Sequence, residues 1–189
     1  AALARRKDEL KDVKVRVVTA TFMPEIVKCD PERDHFIYND WHFSGGSRQL
    51  AMKDLCNYIP LTYHEAGRFV EDFAHIDVAF IPVAPMDKHG FFNLGTSNSI
   101  SSYVINKAKI KIVEVNTSIP VCFGGSKEAV HISDIDYIVE SQTNPKLLSL
   151  PELPVTDVDR KIASLVMEEM EDGSCIQLGI GAMPNTVGT

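Results

Sequence analysis

Asp77-Val78-Ala79-Phe80-Ile81-Pro82-Val83 is an almost continuous apolar run. Such a run is typical of a strand covered on both faces, as in parallel sheets. Downstream, Asp87-Lys88-His89-Gly90 reads as a turn and Phe91-Phe92-Asn93-Leu94 as a returning strand. Gly95-Thr96-Ser97-Asn98-Ser99 is a glycine and hydroxyl loop leading into a helix through Lys107. Ile110 to Val115 is a second strand, and Tyr137-Ile138-Val139 a short third one.

Upstream, Val13-Lys14-Val15-Arg16-Val17-Val18 alternates apolar and charged residues and reads as a strand. Residues 21–46 read as irregular, with Pro24, Pro31, Gly45 and Gly46. Ser47 is then expected to cap a helix running to Tyr58, stopped by Pro60, with a shorter helix over Glu65 to Phe73. Pro145, Pro151 and Pro154 mark a linker over 145–156. Thr156 caps the best helix, Asp157 to Glu171, whose apolar stripe is Val158, Ile162, Leu165, Val166 and Met170. Gly173 is expected to end it, and Ser174 to Leu178 to form a short buried strand. Strands alternating with helices predict an α/β fold, a mostly parallel sheet with helices on both faces.

The composition excludes several classes. A net charge of −7 leaves no basic surplus for nucleic acid. No apolar run reaches bilayer length, and the charged start shows no signal peptide. Cys29, Cys56, Cys122 and Cys175 are far apart with no Cys-x-x-Cys pair. They read as reduced, mostly buried thiols of a cytoplasmic protein. His35, His42, His64, His75, His89 and His131 show no metal spacing, so no metal site is expected. The chain starts without Met inside what reads as a helix, Ala1 to Lys11, so both ends look like cut points.

The chemistry concentrates near the C-terminus. After Gln177, Gly179-Ile180-Gly181 turns the backbone and leaves room for close approach, and Pro184 suits the first turn of a helix. Free N–H groups gathered there suit an anion or a developing oxyanion. The Gln177 carboxamide either bonds a neighbouring backbone group or donates to a substrate carbonyl. The G-x-G lacks the third glycine of a dinucleotide fingerprint and the Lys-Ser/Thr of a phosphate loop. Cys175 beside it reads as packing. The 95–99 loop offers either N-capping by Thr96 or Ser97 or an anion site. Asn116 is either a ligand-facing residue at a strand end or turn punctuation, and His131 packs or caps.

Gln177-Leu178-Gly179-Ile180-Gly181-Ala182-Met183-Pro184-Asn185 closely resembles the Q-x-G-x-G segment of the acetyl-CoA hydrolase/transferase family, nearest its 4-hydroxybutyrate and butyrate CoA-transferases. Gly45-Gly46-Ser47-Arg48, Met86 to Gly95, Glu114-Val115-Asn116 and His131 to Val139 resemble the same family in the same order. The resemblance implies a CoA-transferase-like fold, one of two similar halves with the active site between them. It implies a glutamate that passes through an acyl anhydride to a glutamyl-CoA thioester. Gln177, Gly179 and Gly181 would flank that thioester, and Gly179, Ile180, Gly181, Ala182 and Met183 would line part of the coenzyme A path. The family's glutamate lies downstream of this motif, beyond Thr189, while Glu65, Glu114, Glu128 and Glu140 stand in the wrong context. Residues 1–189 therefore read as an N-terminal domain truncated at both ends, inactive alone, whose partner is its own C-terminal domain. Acyl-CoA and a short-chain carboxylate are the implied substrates, with no permanently bound cofactor, in a dimer or tetramer. An acetyl-CoA hydrolase of the family, a sugar-phosphate isomerase of the same superfold and a non-catalytic binding module are the alternatives.

Overall fold

A computed structural model describes residues 2–20, 22–148 and 154–188. The chain divides into two compact units, Ala1–Ser141 and Gln142–Thr189.

The first unit opens with helix α1 (Ala2–Arg5) and a 3-10 turn over Lys7–Glu9, rather than one helix to Lys11. Strands β1 (Val13–Val17), β2 (Phe36–Asp40) and β3 (Asn57–Tyr58) form a parallel sheet in that order. In β1 the valines turn inward while Lys14 and Arg16 face solvent. In β2 Phe36, Tyr38 and Asp40 are all buried. The core here is Phe36, Tyr38, Leu50 and Cys56, with Ile26 and Val27 of helix α2 (Glu25–Cys29). The segment expected to be irregular up to residue 46 therefore holds a helix and a buried strand. The Asp30 carboxylate shapes the approach to β2 by accepting the N–H groups of His35 at 2.9 Å and Phe36 at 2.8 Å.

Helix α3 (Gly45–Ala51) is shorter than expected and begins differently. Ser44, not Ser47, is the N-cap, accepting the Ser47 N–H at 3.2 Å. Ser47 is buried because its hydroxyl donates to Asp40. The helix stops where Asp54 takes a left-handed φ of 57° and Leu55 N–H bonds back to Leu50. That frees residues 57–58 to pair with β2. Helix α4 (Ala66–Asp72) follows a 3-10 turn at Tyr63–Glu65 and buries Ala66 and Val70.

Strands β4 (Val78–Val83), β6 (Ile110–Val115) and β8 (Tyr137–Glu140) make a second parallel sheet, in the order β4–β6–β8. Strand β5 (Phe91–Asn93) pairs antiparallel with β7 (Ala129–His131), a strand the sequence did not signal. Val83, Phe92, Leu94, Val113 and Val130 pack with Ile105 of helix α5 (Ser101–Lys107). The apolar run at Val78–Val83 predicts cover on both faces, but only one is buried. Val83 is 0% exposed, whereas Phe80 is 72% exposed.

Thr96 does not cap α5, and the Ser97 side chain lies outside those described. The loop winds into a 3-10 turn, and Ile100 precedes the helix without a side-chain cap. Buried Asn93 organises this region, taking Gly95 N–H at 2.8 Å and Cys122 N–H at 3.0 Å on one oxygen. Asn116 accepts the Ser118 N–H at 2.8 Å, the geometry of a turn. His131 caps a 3-10 turn through the Ser133 N–H.

In the second unit, helix α6 (Asp157–Met167) packs against helix α7 (Ala182–Val187) and buries Ala163. A full capping box starts α6, with Thr156 and Asp159 bonding each other's backbone N–H. The helix ends at Met167 rather than Glu171. Gly173 instead turns the chain after it, at φ +88°. Residues 149–153 of the Pro-rich linker, including Pro151, lie outside the described residues. Ser174 to Leu178 is neither strand nor buried. A strand needs a neighbour for its ladder, and no strand occurs among the described residues of this unit. Among the described residues, no helix is long and apolar enough to cross a membrane.

Candidate functional site

The glycine turn is built by α7 and the chain leading into it. Gly181 is the residue before the helix, with φ 152° and ψ 171°, a backbone region that side chains with a Cβ rarely adopt. The Asn185 N–H closes the first turn on the Gly181 carbonyl at 3.1 Å. Pro184 is the third residue of the helix, where no intrahelical donor is required. Its ring lies against the turn. A Cβ on Gly179 would stand 3.8 Å from Pro184 Cγ, and one on Gly181 3.5 Å from Cδ. These are ordinary contacts, so conformation rather than space requires glycine at 181. Leu178 tucks against Gly188, tying the two ends of the segment together.

Gln177, Gly179 and Ile180 are exposed, and Gly181, Ala182 and Met183 half-buried. Among the described residues, the Gln177 carboxamide and the N–H groups of Gly179, Ile180 and Gly181 have no hydrogen-bond partner. A row of unpaired amides beside a carboxamide can receive an oxyanion or orient a carboxylate. Cys175 is exposed, contrary to the reading of it as packing. Only Cys56 of the four cysteines is fully buried.

Two of the glutamates weighed in the sequence are engaged in local hydrogen bonds. Glu65 accepts the Thr62 hydroxyl at 2.5 Å, and Glu128 accepts the N–H groups of Gly124 and Gly125. Among the described residues, no three His, Cys, Asp or Glu side chains gather as metal ligands.

A second constellation, which sequence reasoning missed, lies at the carboxyl edge of the β1–β2–β3 sheet. Asp40 ends β2 fully buried, and its carboxylate receives the Ser47 hydroxyl, Ala20 N–H at 3.5 Å and His42 N–H at 3.4 Å. Burial, with Asp40 and Cys56 nearby, pushes the Tyr38 phenol well above its ordinary range. Burial likewise pushes the Cys56 thiol up to about 11. Above this buried group, His42, Phe43, Arg48 and Tyr58 line an open groove of about 390 Å³. In sequence it is marked by Asp40 at the end of an aromatic segment and by Gly45-Gly46-Ser47-Arg48, the segment noted above for its resemblance to the family.

The sequence profile of the acetyl-CoA hydrolase/transferase N-terminal domain matches residues 1–147. Butyryl-CoA:acetate CoA-transferase of Anaerostipes caccae is 43% identical over 100% of this chain and 42% of its own length. The 4-hydroxybutyrate coenzyme A transferase of Clostridium kluyveri is 35% identical over 98% of the chain and 42% of its own. The crystal structure of RipA from Yersinia pestis superposes with a TM-score of 0.84 at 30% identity, covering 98% of this chain and 45% of that one. That of 4-hydroxybutyrate CoA-transferase from Porphyromonas gingivalis has a TM-score of 0.69 at 23% identity, covering 98% and 48%, and agrees in fold. The chain thus spans about two-fifths of the curated relatives it matches.

Proposed function

The chain belongs to the acetyl-CoA hydrolase/transferase family, and from that premise we propose that it is the N-terminal part of an acyl-CoA:carboxylate CoA-transferase. The substrates are an acyl-CoA and a short-chain carboxylate of the 4-hydroxybutyrate, butyrate or acetate class. A glutamate carboxylate outside these 189 residues adds to the thioester carbonyl and expels the coenzyme A thiolate, leaving an acyl-glutamyl anhydride. The thiolate then attacks the glutamyl carbonyl, releasing the first acid and leaving a glutamyl-CoA thioester. The acceptor carboxylate attacks that thioester, and the freed thiolate takes the acceptor's acyl group while the glutamate is regenerated.

Each addition places negative charge on a carbonyl oxygen. The N–H groups of Gly179, Ile180 and Gly181 are the donors for that charge, and Gln177 orients the glutamyl carboxylate or carbonyl. Ala182 and Met183 continue the coenzyme A path. The observation that carries the reading is that these donors are unpaired at a glycine turn held open at φ 152°. The protein works in the cytoplasm as a homo-oligomer, without a permanently bound cofactor, and the second half of the site comes from its C-terminal domain.

The test uses a polypeptide of the relatives' length containing this chain, with butyryl-CoA and acetate. Acetyl-CoA should form, borohydride should trap a glutamyl adduct, and Gln177→Ala should lower kcat about 10²-fold. The 189-residue chain alone should show no exchange. Net hydrolysis without acetyl-CoA, or full activity in Gln177→Ala, counts against the proposal.

A further inference from the structure

The glycine turn is held in place by a residue that itself donates no hydrogen bond. Pro184 is the third residue of α7, half-buried, with its ring against both glycines of the turn. A helix start is the least fixed part of a helix, and lengthening it by one residue takes only one more i→i−4 bond. At α7 the first such bond runs from the Asn185 N–H to the Gly181 carbonyl at 3.1 Å. The next would run from residue 184 to the Ile180 carbonyl. Proline has no N–H to make it, and its ring would collide with that carbonyl.

A planar trans peptide points its C=O and its N–H in opposite directions. The Ile180–Gly181 peptide, unable to turn its carbonyl along α7, therefore cannot turn the Gly181 N–H into the helical direction either. Gly181 accordingly stands extended, at φ 152° and ψ 171°. Two further contacts close the segment on itself. The Thr186 hydroxyl donates to the Ala182 carbonyl at 2.8 Å, inside α7 and away from the turn. Leu178 lies against Gly188, where a Cβ would stand 2.5 Å from Leu178 Cδ1. Gly188 has φ −88°, which any residue adopts, so space alone keeps it glycine. Turn and helix are tied at both ends, with the proline ring between them.

We propose that Pro184 is a positioning residue of the transfer reaction: its ring keeps the Ile180–Gly181 peptide out of α7 and so fixes the aim of the amide donors before substrate arrives. The role in transfer rests on the reading of the turn as an oxyanion site, whereas the hold on the peptide does not. Donors aimed in advance need no reorganisation as charge develops on the carbonyl oxygen, so losing that aim lowers kcat rather than raising KM. The test pairs Pro184→Ala with Thr186→Val, which removes the hydroxyl bond inside α7 and leaves the proline ring in place.

In the 189-residue chain, the backbone chemical shifts of residues 180 and 181 should move toward helical values in Pro184→Ala, and the new amide at position 184 should exchange slowly. Thr186→Val should leave those shifts where they are. In the polypeptide of the relatives' length, Pro184→Ala should lower kcat at least about tenfold with KM for butyryl-CoA within about twofold of the parent, while Thr186→Val keeps the parent kcat. Unmoved shifts at 180 and 181, a loss carried by KM, or an equal fall of kcat in Thr186→Val overturns the proposal. If the shifts move while the parent polypeptide of the relatives' length shows no CoA exchange, the transferase reading falls and takes the role in transfer with it, leaving Pro184 as the residue that fixes the turn.

Discussion

Asp40 and Tyr38 sit two residues apart on the buried side of one strand, yet their side chains should respond oppositely to removal. The Asp40 carboxylate is the acceptor for the Ser47 hydroxyl and two backbone N–H groups. Asp40→Ala leaves the buried Ser47 hydroxyl without its acceptor, while His42 N–H keeps the Val18 carbonyl, and should cost about 1–3 kcal/mol in urea denaturation. The buried Tyr38 hydroxyl finds no partner among the described residues. Tyr38→Phe should therefore hold stability within about 1 kcal/mol of the parent or raise it, and a larger loss would mean that the hydroxyl is bonded after all. Asp30 makes a pH prediction. Burial pushes its carboxyl up, but the N–H groups of Phe36, His35 and Asp34 outweigh that, leaving it below its ordinary 3.8. The folded state then binds fewer protons than the unfolded one, so this contribution is full above about pH 4 and is lost as pH falls through the depressed folded value. Acid titration of stability should show Asp30→Asn below the parent at about pH 6, with the two curves converging in the acid range.

Helix α6 owes its start to a reciprocal cap rather than to burial, since Val158 and Leu165 are more than half exposed. Thr156→Ala should remove about 1 kcal/mol of helix stability, read as faster hydrogen exchange through residues 158–162. The same experiment should find the amides of residues 175–181 unprotected, because they are in neither helix nor ladder. What can be read in advance follows from where each signal lies. Strands β4 and β6 are legible as apolar runs, and α6 as a cap followed by a stripe. Strand β2 is not, because Asn39 and Asp40 break the apolar pattern, and their reason for being there is tertiary. The start of α3 is ambiguous in sequence between two serines around a glycine pair, and Asp40 decides it by drawing Ser47 inward. Ser174 to Leu178 shows the converse failure. Its residues favour a strand, but pairing depends on a neighbour that local sequence does not supply. Of the glycine turn, the need for glycine is legible, while its assignment to 181 by φ is not. The aromatic–arginine groove is illegible because its four residues come from the end of β3, the loop after β2 and α3.

The register of the second sheet makes its open face a testable asymmetry in stability. Phe80 pairs with Ile112, and Ile112 with Tyr137, so one row of large apolar side chains crosses β4, β6 and β8 on the same face. Phe80 is 72% and Tyr137 60% exposed, while Val83 and Val113 on the opposite face are fully buried. Transfer from water stabilises only what folding buries, so the larger side chain should matter less. Phe80→Ser should change unfolding free energy by no more than about 0.5 kcal/mol, whereas Val83→Ala should cost about 2 kcal/mol through lost burial and a residual cavity. An exposed apolar row also binds hydrophobic dyes, so anilinonaphthalene sulfonate fluorescence should fall in Phe80→Ser and stay level in Lys111→Ser, whose side chain lies on the other face. A Phe80→Ser penalty as large as that of Val83→Ala would show that the row is covered in solution.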